Sequence, residues 1–175
     1  NKEIKANVSC YSTHMSSDLG AEKGYLACLN GDIENGPFGV AVYDKAFEGY
    51  SLPGTSTLML IFLCGYEPWK QYENDYKSGD KTAYNREKTR WADILIQRAQ
   101  KHVLPDLSSM IEVQEAATPL TNWRFTGNTE GAIYGYEQSM DNAFMNRISN
   151  KTPIDGLYLA SAWGNPGGGY EGVLR

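Results

Sequence analysis

A helical repeat of apolar residues between positions 81 and 104 constrains the fold more than any other part of the sequence. Its members are Tyr84, Trp91, Leu95, Ala99 and Val103. Side chains at this spacing share one face of an α-helix and pack together against a core. Asp80 can cap the start of this helix and Pro105 stops it. We therefore predict a long helix over residues 81–104, with Trp91 as a core residue.

Several apolar segments between turn signals predict β-strands. The run at 57–64 is continuously apolar and bounded by loops, which is typical of a strand covered on both faces. It follows Pro53-Gly54, a pair that fits the centre of a type II turn. The predicted strands are residues 24–29, 38–44, 57–64, 110–119 and 155–161. With the helix, they predict an α+β fold whose mostly antiparallel or mixed sheet has about five or six strands.

The composition excludes some function classes. The chain has 175 residues, of which 41% are hydrophobic and 21% charged, as in ordinary globular proteins. The net charge is −5 and the basic residues are scattered, which argues against nucleic acid as a partner. No apolar run approaches the ~20 residues of a membrane-spanning helix, and no targeting segment is visible. These features predict a cytoplasmic protein.

The cysteine and histidine content gives no metal site. Cys10, Cys28 and Cys64 are far apart in the sequence, and their odd number favours reduced, buried thiols in a reducing compartment. His14 and His102 have no second ligand nearby, so we predict structural roles for both and no bound metal. The sequence also shows no nucleophile paired with a base and no pair of catalytic carboxylates, so the catalytic residues are unknown.

The chain ends in a glycine-rich loop. Gly167, Gly169 and Gly172 follow the predicted strand 155–161 and spell G-x-G-x-x-G. Such glycines let a backbone approach a ligand closely, and free amides at a following helix start stabilise negative charge. The dinucleotide fingerprint, however, precedes a full βαβ unit. From the residues alone, the loop either contacts a ligand or only satisfies positive backbone angles.

The order of several motifs indicates a known family. "PFGVAVYDKAFEGYSLPGTSTLML" is followed by a Lys-containing helix ending in "VLPDL", by "EVQEAATPLTNWRFTGNTEGAIYGY" and by "TPIDGLYLASAWGNPGGGYEGV". From about Gly36 to Arg175, the chain resembles the C-terminal part of the phytoene desaturase, carotenoid isomerase and retinol saturase flavoproteins, which are FAD enzymes of the amine oxidase superfamily. The last two motifs are the most specific.

The resemblance implies a role for the terminal loop. In that family, this loop is the second flavin-contacting segment and leads into a helix whose first amides point at the pyrimidine edge of the isoalloxazine. The implied cofactor-binding residues are Trp163, Pro166, Gly167, Gly168, Gly169, Gly172 and Val173. A helix start there would stabilise the negative charge of a reduced flavin. Many relatives have Gly at the position of Ser161 and several have an acidic residue near Ala162, which weakens the inference for the flavin's ribityl-phosphate arm.

The resemblance also implies an apolar polyene, a carotenoid or retinoid, as substrate. FAD supplies the hydride chemistry, and the protein supplies position and an apolar cavity. The implied substrate-binding residues are Trp123, Phe125, Tyr134 and Tyr136, each of which could instead be ordinary packing. Arg124 and Glu130 could orient a polar end of the substrate or form a solvated pair.

We expect the chain to be part of a longer enzyme. Residues 1–153 would be a partial substrate-binding domain, and residues 154–175 the returning strand, the flavin-contacting loop and the helix start. The FAD site would be completed by an absent nucleotide-binding domain, so this chain alone should be inactive and lack FAD. The intact enzyme could associate peripherally with a membrane. Its oligomeric state is unknown.

Three alternatives remain open. The chain could come from an amine-oxidase-like flavoenzyme with another substrate, or it could be a non-catalytic binding domain for an apolar ligand. Its 12 tyrosines and four tryptophans are also compatible with a carbohydrate-binding module.

Overall fold

A computed structural model describes residues 4, 8–137, 139–142, 146–165 and 167. The chain forms two compact units, Asn1–Ala117 (unit 1) and Thr118–Arg175 (unit 2). The functional division between residues 153 and 154 stays a prediction.

The elements of the described residues are short apart from one helix. The strands are β1 (Ser12–Met15), β2 (Phe38–Val42) and β3 (Leu58–Ile61), and the α-helices are α1 (Ala21–Asn30), α2 (Glu67–Lys70), α3 (Glu73–Ser78), α4 (Thr82–His102) and α5 (Pro119–Thr126). Single 3₁₀ turns lie at Tyr43–Lys45, Leu107–Met110, Thr129–Gly131 and Met140–Asn142.

The sheet of unit 1 is antiparallel, in the order β1-β2-β3. Phe38, Val40 and Val42 alternate along β2 and belong to a buried apolar cluster. Ala99, Leu104 and Leu107 belong to the same cluster, which places helix α4 and the turn after it on this face of the sheet. The predicted α+β class is confirmed, but the sheet has three strands in the described residues, fewer than predicted.

Helix α4 confirms the prediction from the apolar repeat. The Asp80 carboxylate accepts a hydrogen bond from the Thr82 backbone N–H at 3.0 Å. Tyr84, Trp91 and Ala99 are buried on one face. The Trp91 ring lies 4.8 Å from the ring of Trp69 and forms part of an aromatic cluster, so its predicted core role is also confirmed.

The predicted strand at 24–29 is wrong, because these residues lie in helix α1. The helix buries Gly24, Ala27 and Cys28, which is helical rather than alternating spacing. Gly31 ends it in a left-handed conformation, and its N–H bonds the carbonyls of Ala27 and Cys28. The Asn30-Gly31 pair was the sequence signal for this helix end.

The predicted strands at 38–44 and 57–64 exist in shortened form. Strand β2 gives way to a 3₁₀ turn at Tyr43. Strand β3 is covered on one face only, because Leu58 and Leu60 pack against the core while Met59 and Ile61 are each 40% exposed. The predicted turn before it is confirmed: Thr55 N–H bonds the Leu52 carbonyl at 3.0 Å, and Gly54 has a φ of 79°.

The predicted strands at 110–119 and 155–161 are wrong. Residues 111–118 form no strand, and Val113 is 83% exposed. In the second segment, Tyr158 makes one isolated antiparallel bridge to Lys151. A strand needs a continuous partner for its backbone groups, and the described residues provide none at either place.

Helix α5 was not predicted, because residues 118–139 are too polar for a core helix. Thr118 and Thr121 form a reciprocal cap, in which each side chain accepts the other's backbone N–H. Pro119 occupies the first turn and Gly127 ends the helix with a φ of 71°. This Thr-Pro start and glycine stop were readable signals.

The cysteines are free, as predicted, but they are not all buried. Cys28 is buried, Cys64 is half-buried and Cys10 is exposed. Burial raises the pKa of the Cys28 and Cys64 thiols. Among the described residues, no cluster of His, Cys, Asp or Glu has the arrangement of a metal site.

Candidate functional site

Two of the predicted site residues meet in unit 2. The rings of Tyr136 and Trp163 lie 4.8 Å apart, at an angle of 83°, in an edge-to-face contact. The Trp163 indole Nε1 donates to Asn128 Oδ1 at 3.3 Å. Trp163 is therefore held on two sides by residues 128–136, which include two of the implied substrate-binding residues, Tyr134 and Tyr136.

A glycine permits this contact. Gly135 has a φ of 81°, and a Cβ at this position would collide with the carbonyl oxygen of Ala162. The backbone at 135 therefore lies directly on the backbone at 162, closer than any other residue type would allow. This approach places the aromatic-rich segment, residues 128–136, against residues 162–163 at the start of the terminal loop.

Of the other predicted substrate residues, Trp123 and Phe125 lie on α5 and Tyr134 directly precedes Gly135. Phe125, on α5, is 78% exposed, and the Arg124 guanidinium carbon lies 5.4 Å from its ring centroid. Tyr134 is 63% exposed, and Trp123 is half-buried on α5. Glu130 has a left-handed φ of 52°. The Phe125 and Tyr134 rings are therefore both accessible to a ligand.

Only part of the predicted cofactor loop falls within the described residues. Gly167 is buried and has a φ of 120°, a conformation that L side chains rarely adopt. The remaining loop residues of the prediction, Pro166, Gly168, Gly169, Gly172 and Val173, lie outside the described residues. Their contact with a flavin stays a prediction.

A buried arginine, missed in the sequence, holds the chain just before this loop. Arg147 is 5% exposed. Its Nε donates to the Gly164 carbonyl at 3.1 Å, and its Nη2 donates to the Ala162 carbonyl at 3.3 Å. The remaining nitrogen, Nη1, is fully buried and has no hydrogen-bond partner among the described residues.

Asn150 holds the same segment from a second position. Its Nδ2 donates to the Asn165 carbonyl at 2.5 Å, and its Oδ1 accepts from the Asn165 N–H at 3.1 Å. A Cβ at Gly164 would collide with this Oδ1. The Asn150 side-chain amide therefore pairs with the backbone N–H and carbonyl of Asn165, as a neighbouring strand would. No sequence pattern marks Arg147 or Asn150, because their partners are backbone atoms 15 or more residues away.

Known proteins with detectable similarity belong to retinoid and carotenoid metabolism. All-trans-retinol 13,14-reductase of Danio rerio is 30% identical over 110 residues, which is 61% of this chain and 18% of the relative. Prolycopene isomerase of Daucus carota is 30% identical over 99 residues, covering 57% and 16% of the two chains. The Arabidopsis thaliana isomerase is 32% identical over 99 residues, covering 57% and 17%.

The chain is homologous to part of these enzymes. It spans less than a fifth of the length of the curated relatives it matches. No protein-family model and no solved structure matches it. The homology confirms the resemblance to carotenoid isomerases and retinol saturases that the motifs indicated.

None of the helices in the described part of the chain combines the length and the apolar composition that crossing a bilayer requires.

Proposed function

We propose that this chain is the C-terminal, substrate-binding part of an FAD-dependent oxidoreductase. The enzyme would act on an apolar polyene, a carotenoid or retinoid, by flavin hydride transfer or isomerisation. The names of the relatives support this class, since retinol and prolycopene are both conjugated polyenes.

The observation that carries the proposal is the contact between residues 135–136 and residues 162–163. Tyr136 packs on Trp163, and Gly135 lies against the Ala162 carbonyl. The aromatic-rich segment and the start of the glycine loop therefore form one local structure. A substrate that reacts at a flavin needs this juxtaposition, because the polyene and the isoalloxazine must meet.

A flavin would bind at the end of this structure, and the conformation of Gly167 supports this proposal. Gly167 is buried in a conformation suited to glycine, and close backbone approach is what a planar ring requires. Trp163, Pro166, Gly167, Gly168, Gly169, Gly172 and Val173 would hold it. When bound, FAD supplies the hydride acceptor and donor at N5. The loop amides would bind the pyrimidine edge and stabilise negative charge there.

The substrate side of the site would be apolar. Exposed aromatic rings at Phe125 and Tyr134 offer flat surfaces to a conjugated chain, and Tyr136 and Trp163 would border the flavin. Trp123 would support the same wall from α5. Hydride transfer to or from a double bond would be matched by gain or loss of one proton, which solvent or a residue of the intact enzyme would supply or accept. We propose a cytoplasmic enzyme, with peripheral membrane association as a source of its apolar substrate.

The experiment compares two loop variants in the full-length protein. Gly172→Val places a branched side chain where the backbone must approach the ring, so flavin per polypeptide should fall at least tenfold relative to wild type. Ser161→Ala, the matched control, should retain its flavin. Flavin absorbance in the purified variants measures both. Equal flavin content in the two variants would refute the role of the loop.

A second measurement tests the substrate class. The purified flavoprotein should bind all-trans-retinol or a carotene, quenching tryptophan fluorescence, and should not bind short-chain amines. Tight binding of an amine and not of a polyene would favour an amine-oxidase-like enzyme instead.

A further inference from the structure

Two of the free cysteines, Cys28 and Cys64, lie on segments that are hydrogen-bonded to each other. The Gly65 backbone N–H donates to the Cys28 carbonyl at 3.2 Å. A Cβ at Gly65 would collide with the Leu29 carbonyl oxygen, so a residue with a side chain could not lie so close to the end of helix α1. The segment that follows Cys64 is therefore packed directly on the turn of α1 that contains Cys28.

The hydrogen bond from Gly65 limits the distance between the two cysteines. In a trans peptide, the α-carbon of residue 64 lies on the same side as the donating Gly65 N–H. Standard bond lengths then place the α-carbons of Cys28 and Cys64 within about 7 Å of each other. The α-carbons of disulfide-bonded cysteines are usually about 4.4–6.8 Å apart. A disulfide between Cys28 and Cys64 therefore requires at most a small movement of the backbone.

The two thiols also interact electrostatically. Burial raises the pKa of Cys64, and negative charge on Cys28 raises it further. Burial raises the pKa of Cys28 as well, and the nearby Arg98 guanidinium acts in the opposite direction. Both groups are therefore mostly protonated at neutral pH, and only a small thiolate fraction can react with an oxidant.

The Trp69 indole makes Cys64 the more reactive of the two. Its N–H is buried and has no hydrogen-bond partner of good geometry among the described residues. Burial raises the pKa of Cys64, and this N–H partly opposes the rise by stabilising the thiolate. Cys64 is half-buried whereas Cys28 is buried, so an oxidant in solution reaches Cys64 first.

We propose that Cys28 and Cys64 form a reversible disulfide when the protein meets a low-molecular-weight disulfide as oxidant. The Cys64 thiolate attacks one sulfur of the oxidant, forms a mixed disulfide and displaces one thiolate. Cys28 then loses its proton and attacks the Cys64 sulfur, which releases the second thiolate of the oxidant. The two cysteines lose two electrons, the oxidant is reduced to two thiols, and the two protons of the cysteines end on those thiols.

The bridge would tie helix α1 to the segment that leads into helix α2. It would close a loop that contains strands β2 and β3, and thereby constrain the unfolded chain. All the residues involved belong to unit 1, so this site does not depend on the proposed flavin chemistry.

The test brings the full-length protein to equilibrium with a fixed ratio of reduced to oxidised glutathione, in buffer and in urea. After alkylation of the free thiols, trypsin separates residues 24–45, which contain Cys28, from residues 46–70, which contain Cys64. Mass spectrometry without reduction should find these peptides linked, at their summed mass less two hydrogen atoms. The ratio of bridged to unbridged chains should be at least about tenfold higher in buffer than in urea, because folding raises the effective concentration of one thiol near the other.

Matched variants assign the bridge to this pair. Cys10→Ser removes the exposed third cysteine and should leave the ratio of bridged to unbridged chains within about twofold of wild type. Cys28→Ser and Cys64→Ser should each abolish the linked peptides.

Four results for the wild-type protein would overturn the proposal. Glutathione on Cys64 without linkage to Cys28 would show that Cys28 cannot reach it, and two unmodified cysteines at equilibrium would show that no oxidation occurs. An equal ratio in buffer and in urea would show that the fold does not bring the thiols together. A linked dimer on a non-reducing gel would place the bridge between two chains. The wild-type peptide map decides each case, so the test stands even where a cysteine variant fails to fold.

Discussion

Different interactions stabilise the interior of each of the two units. Unit 1 has a buried apolar cluster that joins strand β2 to helix α4 through residues such as Val42, Ala99 and Leu107. In the described part of unit 2, Leu120 and Arg147 are among the few buried side chains, and the chain path depends on bonds from side chains to backbone carbonyls.

The difference separates stability from function. Apolar burial stabilises a fold in proportion to the apolar area removed from water, and the buried cluster contributes this free energy in unit 1. A single hydrogen bond from a side chain to a backbone group contributes less to the free energy of unfolding than burial of a large apolar side chain does. Its main effect is to fix the conformation of one segment. A ligand that binds only the folded state would add to the stability of such a unit by mass action. We therefore expect the residues that contact a cofactor to be in unit 2.

The largest effect should come from the core of unit 1. Leu107→Ala removes a side chain that is 1% exposed, and the lost contacts and the cavity should cost about 2–5 kcal/mol of unfolding free energy. Leu52→Ala, at a leucine that is 78% exposed, should cost less than about 0.5 kcal/mol. Urea unfolding of the 175-residue chain measures both. Similar costs would show that this cluster does not support unit 1.

In unit 2, a backbone contact should matter more than apolar area. A Cβ at Gly131 would collide with the Pro119 carbonyl, and its φ is 66°. Gly131→Ala should therefore cost at least about 1–3 kcal/mol. Gly127→Ala is the control, because Gly127 has a φ of 71° but no atom near its Cβ position. If the two variants unfold at the same denaturant concentration, unit 2 does not depend on the close approach at Gly131.

The sequence pattern predicted the longest helix of unit 1, α4, and the central strand of its sheet, β2. Helix α4 has five turns of repeat, and β2 lies between two turn signals, so both were recognised. The run at 24–29 was too short to distinguish helical from strand spacing, and only the glycine at 31 marked it as a helix. Strand β1 is polar and exists because β2 pairs with it, from Ser12↔Ala41 to Met15↔Phe38. Such pairing is not visible in a short sequence window.

The candidate site was predicted from motif order rather than from physics. The resemblance implied substrate-binding roles for residues between 123 and 136 and a cofactor-binding role for Trp163, and in the structure Tyr136 and Trp163 are in contact. Arg147 could not be found, because its acceptors are backbone carbonyls of no particular sequence. The predicted strand at 155–161 failed because apolar composition does not supply a pairing partner.

Acid should weaken unit 1 through Glu87. Its carboxylate accepts bonds from Arg90 and from the Trp91 indole at 2.8 Å, and the Arg90 bond leads in lowering its pKa. A lowered folded-state pKa contributes stability above the unfolded value of about 4.3. That contribution is lost as pH falls through the folded value. Glu87→Gln should remove about 1 kcal/mol at neutral pH and flatten this dependence.

Intrinsic fluorescence of the buried Trp69 and Trp91 follows this transition in unit 1. An unchanged slope of stability against pH between wild type and Glu87→Gln would contradict the role of the Glu87 carboxylate.

The smallest effect on stability should come from an exposed aromatic residue of unit 2. Phe125 is 78% exposed, so Phe125→Ala should change the unfolding free energy by less than about 0.5 kcal/mol. In the full-length protein the same change should weaken polyene binding severalfold, because it removes a flat apolar surface. Calorimetry of the two proteins compares these effects. A large loss of stability with unchanged polyene binding would assign Phe125 to the fold.

The visible absorption spectrum tests most directly the central proposal that unit 2 would carry one edge of an FAD site and that the rest of a longer enzyme would complete it. The purified full-length protein should show a flavin band at about one FAD per chain. The 175-residue chain should be colourless, since loss of ~4 kcal/mol of contacts weakens binding about a thousandfold. A stoichiometric flavin band in the 175-residue chain, or none in the full-length protein, would contradict this division of the site.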